Sequence, residues 1–310
     1  MRYVSDTEAT VWVETEAPCE VSVLGRAAST FTVAGHHYAV VVLERLEPGS
    51  TLPYEVRLDG VVCWPPVDDP YPQCVIRTHI RDESLRLAFG SCRVSVPHVK
   101  PYVLRKDEDP CGREVDALLA LVERMRHEPS SQWPDAFLLL GDQVSADEVS
   151  PATKELIASR RTVEGPPPDE VGDFEEYTAL YRESWSDPAL RWLLSTVSSA
   201  MIFDDHDLHD DWNISEAWIA QMRAQPWWED RILGAYMSYW IYQHLGNLSP
   251  SRLYDDPIFC AVQEACGDCQ ELVREFARTA AREIAGVRWS FSATSGVRAS
   301  SSSTRGRDAS

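Results

Sequence analysis

Ala200-Met201-Ile202-Phe203-Asp204-Asp205-His206-Asp207 decides how this chain is read. A short apolar run enters carboxylates and an imidazole without a break, and His209, Asp210 and Asp211 follow. Short continuous apolar runs mark buried strands, and a solvated charge run seldom abuts one. Two earlier runs end the same way: Leu85 to Phe89 meets Gly90-Ser91-Cys92, and Ala136 to Leu140 meets Gly141-Asp142-Gln143. Between these runs lie helical patterns. Glu114 to His127 puts Val115, Leu118, Leu119, Val122 and Met125 on one face, and Phe174 to Trp185 and Pro188 to Thr196 precede the third strand. Strand and helix in alternation predict a parallel sheet covered on both faces.

In open α/β sheets the carboxyl ends of the strands face a common crevice. A thiol, several carboxylates and an imidazole would therefore meet at one sheet edge. Crowding anions there costs several kcal/mol in repulsion and desolvation unless cations neutralise them. A metal centre is the simplest account: mixed S, N and O donors suit iron, manganese or zinc, and an all-oxygen subset suits calcium or magnesium. Taken singly, Cys92 fits a small buried apolar residue better than a ligand, and Asp142 fits a helix cap as well as a ligand. The acid-rich string after Phe203 favours function. Asp147, Asp204, Asp207 and Asp210 are suited to orienting ligands around it.

Outward from this core, residues 1–80 read as an all-β sandwich. Thr10 to Val13, Val21 and Val23, Tyr38 to Leu43 and Tyr54 to Leu58 are β-rich runs separated by turn signals such as Glu47-Pro48-Gly49-Ser50 and Asp59-Gly60. His36 and His37, beside Gly35, read as loop residues, and Trp64 to Pro72 as a proline-rich edge or linker. Residues 81–290 form the α/β part, with Tyr236 to His244 and Glu271 to Ile284 helical. Residues 291–310, rich in Ser and Arg, read as a disordered tail.

Composition sets limits. The 310 residues, at about 100 to 200 per domain, suit two domains. A formal charge of −20 would repel nucleic acid phosphates and anionic membranes. No apolar run nears the roughly 18 residues of a membrane span, and Met1 to Asp6 shows no secretion signal, so a cytoplasmic location is expected. The 8 cysteines lack the density of a disulfide scaffold. Cys266 and Cys269 form a CxxC without the second pair a zinc ribbon needs; a redox role for them is a minor alternative. Other chemistries fail on spacing: His98, not an arginine, stands six positions after Cys92, Phe89 and Arg93 flank Ser91 where a nucleophile elbow needs glycines, and no phosphate-cradling glycine loop occurs.

At the three strand ends, Phe89-Gly90-Ser91-Cys92-Arg93, Leu140-Gly141-Asp142-Gln143-Val144 and Phe203-Asp204-Asp205-His206-Asp207, with Asp210-Asp211-Trp212-Asn213 behind, the sequence resembles the PhoD-like metallophosphatases, the alkaline phosphatase D family. The resemblance runs from about Leu85 to Trp289, and a β-sandwich before the metallophosphatase domain is usual there; Leu46 to Val56 is also similar to a fibronectin type III corner. It implies a metal-dependent hydrolase of phosphate mono- or diesters, acting on a small-molecule or phospholipid substrate, with an iron-containing and often calcium-assisted centre. Carried over, Cys92 would ligate iron, Asp142 would bridge metals, Asp205 with Asp204 beside it would add oxygen donors, and His206 would approach the phosphate or its leaving group. Ser145 stands where the family has a tyrosine ligand, which leaves the metal open. Family members also continue for a few hundred residues beyond the stretch matched by Arg288-Trp289-Ser290. The expectation is thus an incomplete α/β domain with little or no activity of its own; the alternative is a noncatalytic metal- or partner-binding protein.

Overall fold

The computed structural model describes residues 1–94, 98–162, 167, 169–212 and 214–282. Nine strands come first: β1 Glu8–Thr15, β2 Glu20–Val23, β3 Arg26–Ser29, β4 Phe31–Val33, β5 His36–Glu44, β6 Thr51–Pro53, β7 Val56–Leu58, β8 Val61–Trp64 and β9 Val75–Arg77. They pair antiparallel in the orders β1-β5-β4, β3-β2-β7-β8 and β6-β9. Three hairpins turn on two residues that both have positive φ, Leu24-Gly25 (48° and 75°), Ala34-Gly35 (51° and 79°) and Asp59-Gly60 (47° and 81°). Such turns match the twist of the strands they join. The tight turn at Ala34-Gly35 also corrects the reading of His36 and His37: strand β5 starts at His36, leaving no loop to hold them.

Strand β5 is buried on both sides. Ala39, Val41 and Leu43 share a core with Val21, Val23 and Val56 across the sandwich. Tyr38 and Val40 join a second core made largely of helices.

The second part runs β10 Leu87–Gly90, α1 Ala117–His127, β11 Ala136–Leu140, α2 Pro151–Arg160, α3 Phe174–Trp185, α4 Pro188–Thr196 and β12 Ser198–Ile202. After a 3-10 turn, Asp205–Asp207, come α5 Glu216–Arg223, α6 Trp228–Ser238, a π-helical stretch Tyr239–His244, and α7 Leu245–Asn247. Helices α8 Pro250–Asp255, α9 Pro257–Glu264 and α10 Gln270–Arg282 follow. Helix boundaries follow capping chemistry. Asp187 accepts the amides of Ala189 and Leu190, with Pro188 in the first turn, and so starts α4. Asp116 caps α1, so that helix begins after Val115, which is 50% exposed rather than on the apolar face.

Strands β10, β11 and β12 form a parallel sheet in that order, with Phe89 beside Leu138 and Leu140 beside Ile202. Phe137, Leu139 and Met201 pack one face against Leu118, Val122 and Met125 of α1 and Leu190, Trp192 and Leu193 of α4. The opposite face departs from the expected double cover: Leu87, Phe89, Leu140 and Ile202 are 51%, 72%, 40% and 38% exposed. No helix among the described residues lies over it; α3 and α10 pack on α6 instead, in a core shared with Tyr38 and Val40 of the sandwich. Ile284, Arg288-Trp289-Ser290 and the Ser-rich tail lie outside the described residues.

Among the described residues, no helix is long and apolar enough to cross a membrane. Cys269 is buried and Cys266 exposed, and both are free thiols.

Candidate metal centre

The three strands deliver their terminal residues to one place because they are adjacent and parallel. Asp142, Asp204 and Asp205 each offer a carboxylate oxygen, and these atoms lie within 4.8 Å of one another. A second triad of Asp205, Asp210 and Asp211 meets the same limit, so Asp205 belongs to both. From the end of β10 the Cys92 thiol lies beside Asp142 but outside both triads, donating toward Ser91 Oγ at 3.6 Å.

Local backbone geometry points the same way. Cys92 and Asp142 hold φ values of 52° and 53°, a left-handed conformation that non-glycine residues adopt at a cost and that clusters at functional sites. Before Asp142, Gly141 has a φ of 103°, and a Cβ there would overlap the Asp204 side chain. Only glycine lets the β11 and β12 loops approach so closely.

The packing alternatives for Cys92 and Asp142 do not describe what is found. Cys92 is exposed rather than part of a core. Asp142 caps no helix, since α2 begins at Pro151 with Ser150 as its cap.

Electrostatics identify a site short of positive charge. Burial, together with the Asp204 and Asp205 charges, raises the Asp142 carboxyl against the lowering effect of its contact with Cys92. The Cys92 thiol is lowered by Ser91, but Asp142, burial and Asp204 outweigh that and raise it overall. Both shifts oppose ionisation, and a cation among these donors would reverse both. A thiol beside carboxylate oxygens suits a transition ion, with Cys92 lying outside both groups that meet within 4.8 Å, and the all-oxygen triad of Asp205, Asp210 and Asp211 fits a harder cation.

His206 stands beside the cluster, 34% exposed in its side chain. Its backbone N–H donates to Asp142 Oδ1 at 3.2 Å, and its Nδ1 lies 3.1 Å from Asp147 Oδ1. Asp147 also accepts the Asp210 amide at 2.7 Å, and Asp210 Oδ1 lies 3.6 Å from His206 Nε2. Burial lowers the imidazole, but Asp147, Asp142 and Asp210 outweigh it and raise the pKa above the ordinary value. Asp147 is raised by burial and pulled below the usual range by His206 and the Asp210 amide. Asp207 points away from solvent, and desolvation pushes its pKa up to about 7.

All the residues singled out in the sequence at the strand ends, Cys92, Asp142, Asp204, Asp205 and His206, thus gather at one sheet edge. Ser145, where the family has a tyrosine, is half-buried. Sequence reasoning missed Arg93, which reaches from the Cys92 loop to Asp116 Oδ2 (2.9 Å) and Ser184 Oγ (2.6 Å) and so ties that loop to α1 and α3. It also missed Gln243, which a helical pattern hides among core residues.

A parallel sheet that collects carboxylates, a thiol and an imidazole at the ends of successive strands defines a metallophosphatase-like α/β architecture. Within it, residues 112–256 match the family model "PhoD-like phosphatase". That span contains Asp142 and the Asp204 to Asp211 run, and leaves Cys92 before it. Residues 1–76 match a second family, "Domain of unknown function (DUF7800)". A solved structure titled "Structure of PhoD" is similar in fold, with 15% sequence identity and a TM-score of 0.50, over 81% of this chain. The chain spans 45% of the length of that relative. No curated protein matches it.

Proposed function

We propose that this protein is a metal-dependent phosphoester hydrolase of the PhoD type, with Cys92, Asp142, Asp204 and Asp205 as its metal donors and His206 as its proton donor. The observation that carries this reading is the meeting of the Asp142, Asp204 and Asp205 oxygens within 4.8 Å beside a thiol, at the ends of three parallel strands. Iron suits the donor set best, with manganese or zinc next and calcium on the oxygen-only side. A bound ion there would polarise a phosphoryl oxygen and lower the pKa of water.

The chain's own residues would do the rest. Asp147 accepts from His206 Nδ1–H, which fixes the ring and leaves Nε2, 3.6 Å from Asp210 Oδ1, as the nitrogen that would serve a substrate. A raised pKa keeps this imidazole protonated further toward neutral pH, so Nε2–H can go to a departing alkoxide. The bond broken is P–O to the leaving group, the bond formed is P–O to water, and the alcohol leaves neutral. Access is consistent with an ester substrate, because Cys92 and Asp204 are exposed and Asp205 half-buried. Phosphate mono- or diesters of small molecules or phospholipids are the proposed class.

The bare apolar sheet face next to the donors favours one second reading, a metal-binding protein without turnover. One experiment addresses both. The purified chain is titrated with manganese, iron and calcium, and hydrolysis of p-nitrophenyl phosphate and bis-p-nitrophenyl phosphate is followed. Metal near one per chain, lost in Cys92→Ala and Asp142→Ala, with metal-dependent turnover lost in His206→Ala, supports the hydrolase. Metal binding without turnover supports the second reading, and a folded chain that takes up no metal overturns both.

A further inference from the structure

The donors sit on two loops, and the spacing between them is set from behind. Asp207 lies in the 3-10 turn after β12 and is 1% exposed. Its Oδ2 accepts the backbone N–H groups of Asp204 at 3.0 Å and Asp142 at 3.2 Å. Its Oδ1 accepts those of Gln143 at 3.2 Å and Val144 at 3.4 Å. One buried carboxylate therefore ties the backbone of the loop after β11 to that of the loop after β12, and two of the amides it holds belong to candidate metal donors.

The carboxylate is itself held by a residue distant in sequence. Gln243 Nε2 donates to Asp207 Oδ1 at 3.4 Å and to the Tyr181 hydroxyl at 2.8 Å. Gln243 is 0% exposed and lies in the π-helical stretch Tyr239–His244. Each π turn carries one extra residue, which re-aims the side chains after it, and such turns are frequent at functional sites. Gln243 Oε1 meets no donor among the described residues. A buried acceptor left so is costly, so the amide is retained for its N–H groups. Turning it over would set its oxygen against the Asp207 carboxylate.

We propose that Asp207 and Gln243 are positioning residues of the metal centre: the π turn delivers Gln243 to fix the Asp207 carboxylate, and Asp207 holds the two donor loops at the spacing that a cation needs. Neither side chain touches the ion. The inference rests on the reading that the Asp142, Asp204 and Asp205 cluster binds a metal. Outer partners of this kind shift metal affinity by about 10- to 100-fold when removed.

The test is manganese binding by the full chain, with free Mn(II) followed by electron paramagnetic resonance and stability by urea unfolding in parallel. Gln243→Met keeps the volume and removes the donors, leaving Asp207 its four amides. It should raise the manganese Kd by about tenfold while the chain still unfolds in one cooperative step. Asp207→Asn, which turns an acceptor into a donor facing backbone N–H groups, should raise it further or prevent folding. Leu43→Ala, a buried change in the sandwich core outside the network, should lower stability with the Kd unchanged. If Gln243→Met loses stability as Leu43→Ala does and its Kd stays within twofold of wild type, the positioning role is overturned while metal binding stands. If wild-type protein binds no manganese, the metal reading fails and this inference with it.

Discussion

Strand β5 and strand β11 reverse the usual habits of their sheets. Parallel sheets are ordinarily covered on both faces, and antiparallel sheets commonly leave one to water. Here the antiparallel β5 is buried on both sides, between the sandwich core and the helical core. The parallel β11 is covered by α1 and α4 on one side and bare on the other, where Leu140 is 40% exposed. Both strands are apolar almost throughout, so their sequences cannot tell the two situations apart. What differs is where the helices go: α3 and α10 pack on α6, in the core that also holds Tyr38 and Val40 of β5. The bare face belongs to the same sheet whose ends carry the candidate donors, which makes the site region the less self-sufficient half among the described residues.

The largest expected effect falls on the doubly buried strand. Leu43→Ala, at a site 1% exposed, should cost about 2–5 kcal/mol, measured by urea denaturation. A loss under about 1 kcal/mol would mean that β5 is less enclosed than the structure has it.

Next in size is an acid effect on the helical core that β5 supports. Burial lowers the His244 pKa from 6.5 to about 4. The unfolded chain takes up a proton there first, so stability should fall as the pH drops from about 6.5 to about 4, by about 3 kcal/mol in all, and then level off. His36, at the start of β5, is shifted the other way. The Glu14 carboxylate, 3.7 Å away, and the hydrogen-bonded Glu175 carboxylate raise its pKa against the opposing effect of burial. Its contribution is complete below the ordinary value and fades as the pH rises through the raised one. His244→Phe should flatten the acid limb, and His36→Gln should weaken the chain more at pH 6 than at pH 8. Two profiles of the same shape would contradict this opposition.

A smaller stability change with a larger functional one is expected of Gly141→Ala. The strained φ alone should cost more than about 1 kcal/mol, and displacement of Asp204 should weaken metal binding on the order of tenfold. Calorimetric titration with manganese checks it, and unchanged affinity would show that Asp204 is not a donor.

The smallest effect belongs to the bare face. Phe89→Ala, at a site 72% exposed, should change stability by less than about 0.5 kcal/mol while reducing binding of a hydrophobic dye. A cost of several kcal/mol would mean that something covers the face in solution.

Much of the site was legible because its residues sit at breaks between periodic runs. Apolar runs ending in Gly-Ser-Cys, Gly-Asp-Gln and Asp-Asp-His-Asp are local features, and local features survive in a sequence. Helices α3 and α4 could be read to the residue, since Asp173 and Asp187 are caps that stop the backbone from continuing. The hairpin turn at Ala34-Gly35 was not read, and His36 was misplaced with it. Arg93 and Gln243 were out of reach for another reason: their partners, Asp116, Ser184, Asp207 and Tyr181, lie far away in the chain. Tyr54, read as a corner of the sandwich, sends its hydroxyl to the Ser195 carbonyl at 2.6 Å, beyond any local pattern.

By itself the sequence determined the parallel strands and the polar residues gathered at their ends, because periodicity, turn chemistry and the cost of crowding like charges act within a few residues or one strand end. Tertiary structure alone decided which sheet face is covered, which carboxylate holds the donor loops and which glutamine holds that carboxylate. Those outcomes depend on which surfaces pack together, and packing partners are chosen by shape and burial across the whole molecule.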